Sequence, residues 1–234
     1  MLTERVQRWR QAGAIEDVLG RQLFVHRRPG NEDPLLLFLH GFPSSSYDWR
    51  ELFELRQGRA TLAFDFLGFG LSEKPRDHLY TLAWQANPTL GQRLLRSPLG
   101  PLFARLTTER SFRAQFSRVF SPDHPLSPEE AADQWSLIAQ SEGQRIAHRT
   151  IHYMDERERL TDRWHSAIRD WPGSLTLAWG LRDPVARTEV LDGLRALRPG
   201  VETIELPDAG HYPQIERPDL ISAALGRALE ASSS

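Results

Sequence analysis

The sequence contains no cysteine and only one lysine, Lys74, among its 234 residues. Without cysteine the chain can form neither a disulfide nor a thiolate metal site, so a reducing compartment suits it and we expect a cytoplasmic protein. Its opening residues lack the apolar stretch of a secretory signal peptide. No apolar run approaches the roughly 20 residues that a membrane helix needs, so no membrane partner is expected. A net charge of −2 offers no basic surface for nucleic acid.

With 40% hydrophobic and 26% charged residues, the composition is that of a globular chain. A short amphipathic helix is predicted over residues 2–11, followed by a hairpin that turns at Gly20-Arg21. Two short apolar runs, residues 35–39 and 60–66, are typical of strands buried on both faces of a parallel sheet. Ser44 to Ser46 provide N-caps for a helix between them. This βαβ unit predicts an α/β fold with a mostly parallel sheet.

Helical patterns then replace the strand patterns until the sheet signal returns near residue 174. Phe112, Phe116 and Phe120 are spaced four apart, which predicts one apolar face of one helix. Strands are again predicted at residues 174–179 and 201–206, each followed by a helix. The organisation is therefore a first core part over residues 1–86, a helical cap inserted over residues 87–171, and a second core part over residues 172–234.

Polar residues lie at or just after the ends of four different predicted strands: His40, Asp65, Asp183 and His211. Ligands of open α/β sheets bind at the carboxyl ends of the strands, so this placement predicts a site. Asp183 and His211 come in the order acid, then base, in which the carboxylate orients an imidazole that activates water or a nucleophile. The plainer alternatives are a turn aspartate before Pro184 and an ordinary loop histidine.

The loop His40-Gly41-Phe42-Pro43 directly follows its strand, where backbone N–H groups can stabilise an oxyanion. An ordinary strand-to-helix turn is the alternative. Asp65 precedes a glycine turn and is expected to organise that turn rather than to act as a nucleophile. His148 and His152 are four residues apart but lack the glutamate of a zinc-hydrolase helix. We predict no metal and no cofactor.

Several motifs resemble those of a known family. The stretches over residues 40–49 and 65–75, and Gly210-His211-Tyr212-Pro213-Gln214, resemble the epoxide-hydrolase-like proteins related to mesoderm-specific transcript protein, within the α/β-hydrolase superfamily. Segments 97–102 and 153–157 resemble the cap of the same group. The resemblance implies an α/β-hydrolase fold with a helical cap, an oxyanion loop at His40–Pro43, and hydrolysis of a small-molecule substrate. Relatives such as haloalkane dehalogenases use an aspartate nucleophile on a sharp strand-to-helix elbow.

No such nucleophile can be assigned here, because neither a G-x-S-x-G nor a G-x-D-x-G pattern occurs in the chain. Residues 80–86 resemble the helix before the nucleophile strand, whereas residues 87–92 already resemble the entry to the cap. Two βα units, roughly 60 residues, are therefore expected to be missing near Ala86–Asn87. Their loss would shorten the sheet by its central strands.

Four interpretations follow. In the first, the chain is a hydrolase by descent with little or no activity. In the second, it is a slow hydrolase in which His211 activates water directly or a nearby aspartate replaces the nucleophile. In the third it is a non-catalytic binding or interaction protein, and in the fourth a truncated form of an active hydrolase. The two remaining sets of strands either pair directly or expose unpaired edges, and exposed edges would favour a homodimer.

Overall fold

The structure, a computed structural model, describes residues 1–76, 94–152 and 160–232. The chain divides into two compact units, which are described separately. The first unit comprises Met1–Tyr80, Leu90–Phe116 and Leu126–His152, and the second comprises Thr81–Thr89, Ser117–Pro125 and Tyr153–Ser234. The predicted cap is thus shared between both units, and the division of the chain at residues 86 and 171 stays a prediction.

The first unit is built from six helices and four strands among the described residues. In chain order these are α1 (Glu4–Ala12), β1 (Ala14–Val18), β2 (Arg21–Arg28), β3 (Glu32–Phe38), α2 (Arg50–Leu55), β4 (Arg59–Phe64), α3 (Gly100–Leu106), α4 (Glu109–Phe116), α5 (Pro128–Ile138) and α6 (Ala147–Thr150). Short 3₁₀ helices precede α2 at Ser46–Trp49 and follow α5 at Gln140–Ile146.

The sheet of the first unit has the strand order β1-β2-β4-β3. Strands β1 and β2 form the predicted antiparallel hairpin, with Gly20 at its turn in the left-handed region (φ 76°). Strand β4 pairs antiparallel with β2 and parallel with β3, so the sheet is mixed rather than uniformly parallel. Of the three serines predicted as N-caps, Ser45 takes that role: its hydroxyl accepts a hydrogen bond from Tyr47 N–H at the start of the 3₁₀ helix.

Strand β3 lies at one edge of this sheet, and the prediction that it is buried on both faces is wrong. Leu36 and Phe38 are buried, each 7% exposed. The alternate residues Leu35, Leu37 and Leu39 are 54%, 52% and 50% exposed. Successive side chains of a strand point to opposite faces, so Leu35 and Leu37 lie on the exposed face of β3, and Leu39 follows directly after the strand.

The second unit contains a parallel strand pair and four helices among the described residues. These are α7 (Thr161–Arg169), β5 (Thr176–Gly180), α8 (Thr188–Leu197), β6 (Glu202–Leu206), α9 (Pro213–Glu216) and α10 (Pro218–Ser232). Strands β5 and β6 pair in register from Thr176 opposite Glu202 to Gly180 opposite Leu206. The described strands thus form a four-stranded sheet in the first unit and a two-stranded sheet in the second.

The prediction that Phe120 shares one helix face with Phe112 and Phe116 is also wrong. Helix α4 ends at Phe116, whose ring stacks on Phe112 at a centroid distance of 4.9 Å. The chain then passes through a 3₁₀ turn, and Phe120 stacks instead on Tyr212 in the second unit (5.4 Å, 15° between the ring planes). Tertiary packing of Phe120 beside the loop that carries His211 therefore overrides the helical spacing.

Candidate active site

The structure pairs the predicted acid and base. Asp183 follows β5 and His211 follows β6, and Asp183 Oδ2 lies 2.8 Å from His211 Nδ1. The side chains are largely buried, 8% exposed for Asp183 and 16% for His211. A carboxylate facing Nδ1 favours the tautomer with hydrogen on Nδ1, which leaves Nε2 as the basic nitrogen. This is the geometry of a general base with its orienting acid.

Asp183 is fixed by the turn that it begins. Its Oδ1 accepts hydrogen bonds from the backbone N–H groups of Val185 (2.7 Å) and Ala186 (2.9 Å). One oxygen of the carboxylate, Oδ1, thus makes the expected turn contacts, and the other, Oδ2, faces His211. Because Oδ1 is held by two donors, Oδ2 has a defined direction towards His211.

The two strand ends approach each other closely at Gly180. A Cβ atom at Gly180 would lie 2.1 Å from the carbonyl oxygen of Gly210 and 2.6 Å from that of Ala209. Only glycine permits this contact, since real Cβ atoms do not come so near to backbone oxygens. The close approach brings the turn after β5 against the loop after β6, and this places Asp183 beside His211.

The loop that carries His211 is held by a carboxylate that the sequence analysis did not identify. Glu216, at the end of α9, accepts hydrogen bonds from the backbone N–H groups of Gly210 (2.8 Å), Tyr212 (3.1 Å) and Ser121 (3.0 Å). The N–H of His211 itself donates to the carbonyl of Val119 at 3.0 Å. A sequence signal existed in the glutamate five residues after the histidine, but only the fold shows that it folds back.

The predicted oxyanion loop lies in the first unit, after β3. His40 is 6% exposed, and burial lowers the pKa of its imidazole. Its Nε2 accepts a hydrogen bond from Phe66 N–H (2.9 Å), and Nδ1 faces the carbonyl of Gly41 (2.9 Å). A neutral ring with hydrogen on Nδ1 satisfies both contacts. His40 therefore ties the loop after β3 to the chain after β4.

The remaining loop residues form a tight turn into the following helix. The carbonyl of Gly41 also accepts from the backbone N–H and the hydroxyl of Ser44, both at 3.1 Å. The bond between Phe42 and Pro43 is cis. The ring of Phe42 meets Phe69 edge-on, with centroids 6.1 Å apart. The role of His40, Gly41, Phe42 and Pro43 in holding an oxyanion stays a prediction.

Asp65 has the structural contacts expected of it. Its Oδ1 accepts from Ser46 N–H and its Oδ2 accepts from Leu71 N–H, both at 2.7 Å. A Cβ at Gly70, where φ is +47°, would lie 2.1 Å from Asp65 Oδ2. Asp65 thus organises the glycine turn and anchors the helix that follows the predicted oxyanion loop.

A buried polar network lies beside that helix. It consists of Tyr47, Asp48, Arg50, Glu130 and Gln134. Arg50 Nη2 contacts Glu130 Oε2 at 2.6 Å, and the guanidinium lies 4.4 Å from the centroid of the Tyr47 ring. Gln134 Nε2 donates to Asp48 Oδ1 at 2.8 Å. Burial raises the pKa of Asp48 to about 7, although the nearby side chains of Ser44 and Gln134 lower it.

In the described part of the chain, no group of three or more His, Cys, Asp or Glu side chains is arranged to hold a metal ion. His148 lies on the short helix α6. Among the same residues, no helix combines the length and apolarity needed to cross a membrane.

Comparison with known proteins identifies the family of the fold. Residues 34–103 match the family model described as alpha/beta hydrolase fold. The chain is 39% identical to the Mycobacterium tuberculosis protein named "Putative hydrolase LipZ", over 282 residues that cover 96% of this chain and 98% of that protein. The chain belongs to the α/β-hydrolase fold family.

The chain is also similar to the following proteins. It is 26% identical to the human mesoderm-specific transcript homolog protein, with 93% of this chain and 85% of that protein covered. The crystal structure of the haloalkane dehalogenase DatA from Agrobacterium tumefaciens C58 matches with a TM-score of 0.78 at 18% identity, covering 94% of this chain and 96% of that one. The resemblance to epoxide-hydrolase-like proteins related to mesoderm-specific transcript protein is thereby confirmed at the level of the family.

Proposed function

We propose that this chain is an α/β-hydrolase that retains the acid Asp183, the base His211 and the oxyanion loop but lacks a nucleophile elbow. Its hydrolysis of small molecules is therefore weak or absent. The observation that carries the proposal is the contact of 2.8 Å between Asp183 and His211. Such a buried, oriented pair has a clear use in general-base chemistry.

The length of the match supports a missing segment. The alignment with the mycobacterial relative spans 282 residues, whereas this chain has 234. The relative thus contains residues without a counterpart here. The absence of an elbow motif and the expected join near Ala86–Asn87, which lies outside the described residues, agree with a lost segment. When a triad loses its nucleophile, about 10³–10⁴-fold catalysis over water remains from binding and the oxyanion hole.

The proposal is tested by assaying the protein on small epoxides, haloalkanes and activated esters. His211→Ala and Asp183→Asn remove the base and its orienting acid. His165→Ala, at an exposed position on α7, is the matched control. We expect turnover that is slow or undetectable in the parent, and any turnover present should fall in the two site variants but not in the control. Fast turnover that survives His211→Ala would refute the proposal.

A second experiment tests the missing segment itself. The residues of the mycobacterial relative that have no counterpart here are inserted between Ala86 and Asn87. If an elbow is all that the site lacks, the insertion should produce turnover that depends on His211. A folded chimera without such turnover would favour a non-catalytic role, and recovery of activity would favour a truncated form of an active hydrolase.

A non-catalytic interaction protein is the second candidate, and the exposed face of β3 favours it. Leu35 and Leu37, on a strand at the edge of its sheet, and Leu39, directly after it, each expose half or more of their surface. Such edges and apolar faces favour pairing with another chain.

We therefore propose a homodimer through this edge, to be tested by sedimentation. Leu37→Asp should yield monomers, and a parent that is already monomeric at high concentration would refute the homodimer. The cysteine-free composition supports a cytoplasmic setting.

A further inference from the structure

The carboxylate of Glu216 has an unusual set of partners. Its Oε2 accepts from Gly210 N–H and Ser121 N–H, and its Oε1 accepts from Tyr212 N–H. All three donors are backbone groups, and two of them belong to the residues immediately before and after His211. Hydrogen bonds to an ionised acceptor are stronger than those between neutral groups. The carboxylate thus holds the main chain on both sides of the base.

The same loop is held from its other side by residues 117–125. The N–H of His211 donates to the carbonyl of Val119, and the ring of Phe120 stacks on Tyr212. A Cβ at Gly210 would lie 2.6 Å from the nitrogen of Ser121, so the loop of His211 and the segment 117–125 are in direct contact. Glu216 bridges these two segments, because one of its oxygens accepts hydrogen bonds from both Gly210 and Ser121.

We propose that Glu216 is a positioning residue for the Asp183–His211 pair. This inference rests on the proposed function, since it concerns the same base. The imidazole can meet Asp183 Oδ2 at 2.8 Å only if the backbone of His211 is fixed in position and direction. The residue before it is a glycine, which would otherwise leave that backbone free to rotate. Glu216 removes this freedom without touching the reacting groups.

The chemistry of the contact explains why a carboxylate is needed. Glutamine has the same shape but a single acceptor oxygen, and its amide nitrogen is a donor. In Glu216→Gln, the amide nitrogen therefore replaces one carboxylate oxygen, and its N–H faces a backbone N–H group that needs an acceptor. Glu216→Ala removes all three hydrogen bonds. Glu189→Gln, at an exposed position on α8, makes the same chemical change away from the loop and is the matched control.

The test is a two-bond ¹H–¹⁵N NMR spectrum of the imidazoles, recorded where they are neutral, with His211→Ala used to assign the His211 signals. In the parent and in Glu189→Gln, we expect the tautomer with hydrogen on Nδ1. In Glu216→Gln we expect a mixture with the Nε2–H tautomer, and amide exchange of Gly210, Ser121 and Tyr212 at least tenfold faster. A merely structural role would lower the denaturation midpoint but leave the tautomer of the folded protein unchanged.

Three outcomes would overturn the inference: a parent without the Nδ1–H tautomer, a His211 tautomer unchanged in folded Glu216→Gln, or unchanged exchange of the three amides. The spectrum needs no substrate, so it gives an answer even if the protein hydrolyses nothing. Where turnover that depends on His211 exists, Glu216→Gln should lower kcat more than it changes KM. Loss of the proposed function with an intact tautomer effect would leave the positioning role standing.

Discussion

Replacing Asp48 with asparagine should make the stability of the protein less dependent on pH. Asp48 is 1% exposed, and its Oδ2 has no hydrogen-bond partner among the described atoms. Glu130 disfavours its ionisation, whereas Arg50, Ser44 and Gln134 favour it, and burial outweighs them. In Asp48→Asn the neutral amide keeps an oxygen to accept the hydrogen bond from Gln134 but cannot ionise.

The sign and the size of the effect follow from the pKa. Burial raises the pKa of Asp48 from 3.8 to about 7, so the folded state holds a proton that the unfolded state loses. Between these values the parent therefore loses stability as pH rises. At 1.36 kcal/mol per unit of pKa, the loss is at most about 4 kcal/mol. Relative to the parent, Asp48→Asn should gain this amount between pH 4 and pH 8.

The assay is urea denaturation of parent and variant at pH values from 4 to 8, with Asp192→Asn at an exposed position as the control. Taking the difference between two proteins cancels the other titrating groups. We expect the difference to grow with pH for Asp48→Asn and to stay constant for Asp192→Asn. A constant difference for Asp48→Asn would show that the carboxyl ionises in the folded protein as it does in water, and the reasoning from burial would fail. The carboxyl ¹³C shift of Asp48 gives the same pKa directly.

Three further predictions concern single residues. Gly180→Ala should destabilise the protein by about 1–3 kcal/mol, measured by urea denaturation, because its Cβ would lie 2.1 Å from a backbone carbonyl oxygen. His40→Ala should cost about 1–3 kcal/mol in the same measurement, because it leaves the buried N–H of Phe66 without its acceptor. Burial lowers the pKa of His26 to about 4, so its contribution to stability should be lost as pH falls from 6.5 towards 4. His26→Phe, which keeps a ring stacked on Trp9, should be less sensitive to acid, and equal acid sensitivity would contradict this.

Local patterns in the sequence were sufficient for much of the fold. The hairpin at Gly20-Arg21, the serine cap at Ser45 and the strand before Asp183 all depend on neighbouring residues, and the structure contains each of them. The order of acid and base also placed Asp183 and His211 after adjacent parallel strands. Their contact follows from that pairing, since carboxyl ends of parallel strands lie at one edge of the sheet.

Features that depend on distant parts of the chain could not be predicted from local patterns in the sequence. The run Leu35 to Leu39 cannot tell whether its second face is covered, because the cover comes from other elements. Phe120 continues the spacing of a helix, yet it packs beside His211. Periodicity reports how a segment would fold alone, and both errors arise where packing between segments decides.

The proposed lack of a nucleophile is compatible with the contact between Asp183 and His211, because the two depend on different stretches of the sequence. The contact between Asp183 and His211 requires β5, β6, the close approach at Gly180 and the clamp of Glu216. These contacts are made among residues 119–216, and none of them uses a residue of the expected join at Ala86–Asn87, which lies earlier in the sequence and outside the described residues. Loss of an elbow would therefore remove reactivity without loosening the base. This explains how a chain without an assignable nucleophile can keep a well-formed pair, and why the insertion experiment is a fair test of what the chain lacks.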